Sequence, residues 1–176
     1  MHIIALSERS ATEPVETYSL PFTPMGKQQG FLEVTATPSA IRHIRHIQKP
    51  LPVTASRFHP EFDRRLADYL AGDAVTDWKL AVALPDQPYL LACWRALAQV
   101  PYGHTITYSE LADRAGNAKA VRAAASACAR NPVPLLIPCH RIVAKNGTLG
   151  GFGWGLPVKQ ALLEMEAHTL VTQKAA

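Results

Sequence analysis

The chain is 176 residues long, enough for one ordinary domain or two small ones, and 48% hydrophobic against 18% charged residues is a globular composition that excludes disorder, collagen and a bare disulfide scaffold. The formal charge of +4 is uneven: residues 1–88 carry nine Lys/Arg against ten Asp/Glu, and residues 89–176 carry nine against four. A basic second half suits a polyanion partner without requiring one. No apolar run approaches the ~20 residues of a membrane span, and Glu8, Arg9, Glu13 and Glu16 interrupt the stretch where a signal peptide needs apolar residues, which predicts a cytoplasmic protein.

Residues 1–17 have no clear period and are expected to form a loose N-terminal arm. Short β-leaning stretches at 18–22, 31–37 and 41–47, with a turn at Pro24-Met25-Gly26, predict a small antiparallel sheet. The triplet spacing of Ile41, Ile44 and Ile47 fits a strand or a helical turn equally, and Arg42, His43, Arg45 and His46 between them read as a solvated face rather than as metal ligands. After Pro50-Leu51-Pro52, residues 60–71 carry Phe62, Leu66, Tyr69 and Leu70 at helical spacing, closed by Gly72. Residues 73–88 look like a linker with room for one strand at 80–84. The expected organisation is therefore an α/β domain over 18–87, a helical domain over 88–170, and a tail at 171–176.

In the second half, Leu90, Leu91, Trp94 and Leu97 mark a helix over 89–99 that Pro101-Tyr102-Gly103 stops. Thr107 and Glu110 have the spacing of a capping box, in which hydroxyl and carboxylate each satisfy a backbone N–H at a helix start. The helix it opens, 108–115, ends at Gly116, where a left-handed residue is needed, and a second helix is expected over 118–130. Two helices across so short a turn are a helix-turn-helix candidate. The second is built largely of alanine, and its charges, Lys119, Arg122 and Arg130, are all positive. Tight helix packing explains such a sequence as well as close approach to a nucleic-acid backbone does, and the helix-turn-helix context favours the latter.

Cys93, Cys128 and Cys139 form no CxxC pair and are odd in number, which argues against a disulfide framework or a thiolate zinc site. Cys93 and Cys128 lie among apolar residues and read as small buried hydrophobes. Cys139 differs: residues 133–143 read VPLLIPCHRIV, with a base, His140, and a cation, Arg141, directly after the thiol, and glycines from 147 to 155 beyond. A turn must bring the imidazole round to the thiol, directly or through one water, and a carboxylate on the downstream helix 157–168, which carries Glu164 and Glu166 off its apolar face, could orient it. On spacing alone, cysteine hydrolase and cysteine transferase remain level.

Ile137-Pro138-Cys139-His140-Arg141-Ile142-Val143, ARNPVPLLIPCHRIV as a whole and the downstream glycine run resemble the O6-alkylguanine-DNA alkyltransferases, the methylated-DNA–protein-cysteine methyltransferases. The resemblance covers residues 88–167 well and 17–85 loosely. It implies a ribonuclease-H-like α/β N-terminal domain and an all-α, winged-helix-like C-terminal one. By it, Cys139 is the single-use alkyl acceptor, His140 its base through a water, Glu166 the carboxylate completing the relay, and Asn131 the brace between helix-turn-helix and active-site segment. Arg122 is implied to fill the gap left by the flipped nucleotide, with Lys119, Ala123, Ala125 and Arg130 at the DNA. Tyr108, Pro134, Ile142, Phe152 and Gly153 line the base pocket, the carbonyls of Cys139 and Ile142 accepting from the guanine amino group.

The implied partner is double-stranded DNA carrying O6-alkylguanine, bound by a monomer through the minor groove without cofactor. O4-alkylthymine as a further substrate stays open, as does a non-repairing lesion-binding module. Two departures stand out. Phe152 occupies the position of a tyrosine, followed by Gly153 where a small polar residue is common, and the N-terminal half has no cysteine, so no structural zinc is expected.

Overall fold

The computed structural model describes residues 5–7, 13–27, 29–53, 55–75, 78, 81–84 and 86–175. The chain divides into two compact units, Met1–Pro85 and Asp86–Ala176.

The first unit is built on a five-stranded sheet of order β1-β5-β4-β3-β2, with strands β1 (Ala5–Ser7), β2 (Glu16–Pro21), β3 (Phe31–Thr37), β4 (Ala40–Ile47) and β5 (Ala81–Ala83). β2, β3 and β4 form an antiparallel meander, whereas β5 runs parallel to β4, pairing Ile41 with Val82, and β1 runs parallel to β5. The sheet is thus mixed rather than antiparallel, and part of the expected N-terminal arm is an edge strand. Three-residue strands are too short to show a period of two, which is why β1 escaped the sequence pattern. The stretch 41–47 is a strand, with Ile41 and Ile44 buried.

Helix α1 (Pro60–Ala71) begins with Pro60 in its first turn, where a missing N–H costs nothing, and ends at Gly72 in the left-handed conformation. Phe62, Leu66, Tyr69 and Leu70 form its buried stripe, joining Tyr18, Leu32, Val34 and Val82 in the core. The expected linker is anchored by Trp78, buried with its ring 5.9 Å from Phe62 and 5.7 Å from Tyr69.

The second unit comprises α2 (Pro88–Ala98), β6 (Ile106–Thr107), α3 (Tyr108–Arg114), α4 (Val121–Ala129), a 3-10 turn (Cys139–Arg141), β7 (Ile142–Val143) and α5 (Leu156–Ala175). It is helical but not all-α. β6 and β7 form a parallel two-residue ladder, Ile106 with Ile142 and Thr107 with Val143. That ladder ties the start of α3 to the residues just after the 3-10 turn. The capping box forms as expected, with Glu110 N–H donating to Thr107 Oγ1 at 3.2 Å and Thr107 N–H to Glu110 Oε2 at 2.7 Å.

α4 starts at Val121 rather than 118, because the Asn117 side chain accepts from Lys119 N–H and holds 117–120 in a turn. Ala124 and Ala127 face inward, and the Ala127 carbonyl accepts from the Trp94 indole at 2.9 Å. α5 continues through Ala175, so residues 171–175 of the expected tail are helix, and no described helix is long and apolar enough to cross a membrane.

Candidate active site

Asn131 organises the segment that leads into the reactive residues. Its Oδ1 accepts from Val133 N–H, while its Nδ2 donates to the Ile137 carbonyl at 2.6 Å and to Cys139 Sγ at 3.1 Å. Between these anchors Leu135 is held at φ 76°, a left-handed conformation that a leucine adopts only when its surroundings impose it. One amide side chain therefore both shapes the turn and addresses the thiol.

Cys139, His140 and Arg141 form a 3-10 turn, which rotates successive side chains by about 120° and sends three neighbouring residues in three directions, all of them inward. His140 Nε2 meets Glu166 Oε1 at 2.9 Å with both side chains fully buried. Arg141 reaches the same carboxylate, Nε to Oε2 at 2.9 Å and Nη2 to Oε1 at 2.7 Å, while Nη1 donates to the Val100 carbonyl at 2.8 Å and the guanidinium lies over the Tyr102 ring. Gly103 N–H adds a further donor to Glu166 Oε2 at 2.9 Å. A carboxylate so surrounded is fixed in charge and in place.

The electrostatics follow from this packing. Burial works to raise the Glu166 carboxyl, but His140 and Arg141 outweigh it and hold the group well below the usual carboxylate range. His140 sits below its ordinary value, chiefly because burial disfavours the imidazolium, even with Glu166 opposing, so it is a neutral base at neutral pH. Burial pushes the Cys139 thiol up to about 11, against the Asn131 hydrogen bond and the Lys159 charge. The resting pair is therefore thiol and neutral imidazole, with Nε2 engaged by the carboxylate.

The sequence places Glu166 off the apolar face of its helix. It lies instead on the buried stripe of α5 with Lys159, Leu162 and Met165, while Glu164 is the exposed one and accepts from Gln160. Arg141, expected to supply a positive field to the thiol, is spent on Glu166. The cation that acts on Cys139 is Lys159, which sequence reasoning passed over; its spacing of seven from Glu166 places both on one helical face and was the available signal. Arg141 as the clamp on Glu166 was likewise missed.

The remaining expected site residues differ in burial. Pro134 and Ile142 are buried. Phe152 is half-buried, edge-on to His140 with centroids 6.4 Å apart and to Trp154 at 5.6 Å. Tyr108, the first residue of α3, donates its hydroxyl to the Gly151 carbonyl at 3.4 Å. Gly153 is exposed and a Cβ there would meet nothing within 4 Å, so the absence of a side chain is not forced by packing. Lys119, Arg122, Ala123 and Arg130 are exposed and Ala125 half-exposed, Arg130 being tied to Gln87 at 2.9 Å. Cys93 is buried and Cys128 half-buried. Among the described residues no three His, Cys, Asp or Glu gather closely enough to hold a metal ion.

Residues 88–168 match the family model described as 6-O-methylguanine DNA methyltransferase, DNA binding domain. A methylated-DNA–protein-cysteine methyltransferase of Methanosarcina acetivorans is 39% identical over 114 residues, covering 65% of this chain and 72% of that protein. The crystal structure of Mycobacterium tuberculosis O6-methylguanine methyltransferase superposes with a TM-score of 0.73 at 28% identity, over 88% of this chain and 94% of that one. A second M. tuberculosis structure, that of OGT in complex with DNA, gives 0.72 at 27% identity, over 86% and 93%.

Proposed function

This chain belongs to the methylated-DNA–protein-cysteine methyltransferase family, and on that premise we propose that it repairs DNA by moving the alkyl group of O6-alkylguanine onto its own Cys139, once per molecule. The observation that carries the reading is the buried chain of contacts from Cys139 Sγ to Asn131 on one side and from His140 to Glu166 on the other. The acceptor is only 6% exposed, so a base still stacked in a duplex does not reach it. The lesion must be swung out, at a cost of a few kcal/mol that contacts with the protein offset.

In the proposed mechanism Glu166, fixed by Arg141 and Gly103, holds the Nε2–H of His140, leaving Nδ1 to draw the thiol proton through a water. The Cys139 thiolate, stabilised by the Asn131 amide and the Lys159 charge, attacks the alkyl carbon in line. The new S–C bond forms as the C–O6 bond breaks, and the departing guanine takes a proton at N3 from Tyr108. Holding sulfur and carbon near attack distance, about 3–3.5 Å, supplies much of the rate. No cofactor enters.

On the same reading α3 and α4 are the helix-turn-helix, and α4 approaches the minor groove. The exposed face of α4 carries Arg122, Ala123 and Ser126, so small side chains let the backbone come close, and Arg122 fills the stack. Lys119, Ala125 and Arg130 flank the contact. The first unit is read as ribonuclease-H-like, supported by its meander followed by parallel strands, and the second as winged-helix-like. The protein acts as a monomer.

The test is intact-mass analysis after incubation with a duplex containing O6-methylguanine. One methyl per chain on Cys139, and none on a Cys139→Ser variant, is expected. An unchanged mass sinks the transfer reading and leaves a lesion-binding module, while repeated turnover of substrate points to a hydrolase.

A further inference from the structure

Lys159, on α5, is fully buried, and its partners are carbonyls rather than a carboxylate. The ammonium has three protons, and Nζ donates to three oxygens: those of Ile142 on β7, of Leu149, and of Gly151 at 3.4 Å. A buried cation persists only when its protons are satisfied, and this cradle satisfies them. The three carbonyls belong to two stretches of chain, the strand directly after the nucleophile and the glycine-rich loop that carries Phe152.

The Gly151 carbonyl has a second donor, the Tyr108 hydroxyl. Tyr108 also lies so close to this loop that a Cβ on Gly150, itself at φ +67°, would come within 3.1 Å of its ring and hydroxyl. Where the loop sits therefore fixes where the phenol sits. In the proposed reaction that hydroxyl must leave Gly151 to donate to the lesion. Gly151 itself is exposed, and its carbonyl loses less when the phenol turns away if the lysine donor stays on it.

We infer that Lys159 is a positioning residue, fastening the glycine-rich loop to β7 and keeping the Gly151 carbonyl hydrogen-bonded so that the Tyr108 hydroxyl is free to turn to the flipped base. The inference rests on the alkyl-transfer reading for the part Tyr108 plays, and on geometry alone for the fastening. Without Lys159, Tyr108 stays on Gly151 and its contribution to transfer is already lost.

Single-turnover transfer from an O6-methylguanine duplex is measured for the full chain, Lys159→Met, Tyr108→Phe and the double variant, each with amide hydrogen exchange of residues 144–155. Each single change is expected to slow transfer about tenfold. The double variant should be within about twofold of the slower single one, because the two act as a unit. Exchange protection of 144–155 should survive Tyr108→Phe and fall in Lys159→Met. Single effects that multiply in the double variant, or protection lost on Tyr108→Phe, overturn the inference. If Lys159→Met does not fold, Lys159→Gln enters the same cycle, and the Tyr108→Phe exchange result needs no lysine variant. If the parent takes up no methyl, the transfer reading is what fails, and the exchange comparison still decides the fastening.

Discussion

At the scale of single residues, Glu166 bears the largest share of the site's order. It is a fully buried carboxylate that receives His140, a two-point contact from Arg141 and the Gly103 N–H. Removing its charge in Glu166→Gln strands the Arg141 guanidinium inside the protein. Breaking a buried pair in this way costs about 3–5 kcal/mol, so denaturant unfolding should show a loss of that order together with slow transfer. An unchanged midpoint would mean that Arg141 finds another partner. The same contacts set the response to acid. Glu166 titrates lower folded than unfolded, so its contribution is present above the unfolded carboxylate's range and lost as pH falls through the folded value. His140 titrates below its ordinary 6.5, so from about that pH downward the folded state binds fewer protons than the unfolded one. Both push stability down on acidification, and thermal melts should fall progressively below pH 6.5; a flat profile would deny that His140 is held neutral. Phe152 bears on rate rather than stability. Its ring meets His140 edge-on, and it lacks the hydroxyl that the resemblance places at this position. Phe152→Tyr should speed transfer by about two- to tenfold, the worth of one hydrogen bond to the leaving guanine, and no gain would show that another donor already serves it.

At the scale of elements, α4 has one side that packs and one that does not. Ala124 and Ala127 are closed in, with the Trp94 indole on the Ala127 carbonyl, while Ala123 is exposed. A bulky side chain at 123 meets solvent in the free protein, so Ala123→Leu should change unfolding free energy by no more than about 0.5 kcal/mol. It should nonetheless weaken duplex binding about tenfold or more by holding the helix off the groove, and unchanged affinity would remove α4 from the proposed interface. How far such elements show in sequence depends on their length and on whether their signals are local. α1 was legible to the residue, since its stripe, Pro60 and Gly72 all lie within it. The capping box at Thr107 and Glu110 was equally plain. β5 fell inside the stretch 80–84 where the sequence left room for a strand, whereas β1 and the β6–β7 ladder did not show, because two or three residues carry no period and their pairing is decided by residues far away in the chain. The start of α4 was placed too early because alanines at 118 and 120 favour helix, and only the Asn117 side chain turns the chain aside. In the site, Cys139 and His140 stood out as a dipeptide, whereas the inward cations needed the packing of α5 against the 3-10 turn to be seen. A lysine or arginine reads as surface until its neighbours in space are known.

At the scale of the whole molecule, the charge split acquires a location. Residues 89–176 hold nine Lys/Arg against four Asp/Glu, but Arg141 and Lys159 are buried, so the field a polyanion meets is weaker than the composition suggests. What is left outside includes Lys119 just before α4, Arg122 on it, Arg130 at its end, and Arg95 and Lys145. Several arginines of the first unit are differently placed: Arg45 pairs with Glu33, and Arg64 lies between Glu61 and Asp68. Paired charges release few counterions when DNA arrives, whereas free ones neutralise phosphates and make affinity fall with salt by about 0.9 in the log–log slope for each phosphate met. Duplex affinity measured across salt concentrations should therefore lose about one unit of slope in Lys119→Ala and none in Arg45→Ala. Arg122→Ala should behave differently again. A side chain that replaces a base inside the stack contributes through stacking and hydrogen bonding, so its loss should lower affinity for lesion-containing DNA with a smaller change of slope. Equal slope changes at Arg45 and Lys119 would spread the DNA contact over both units, and a full unit lost at Arg122 would make it a phosphate contact instead of the residue that takes the lesion's place.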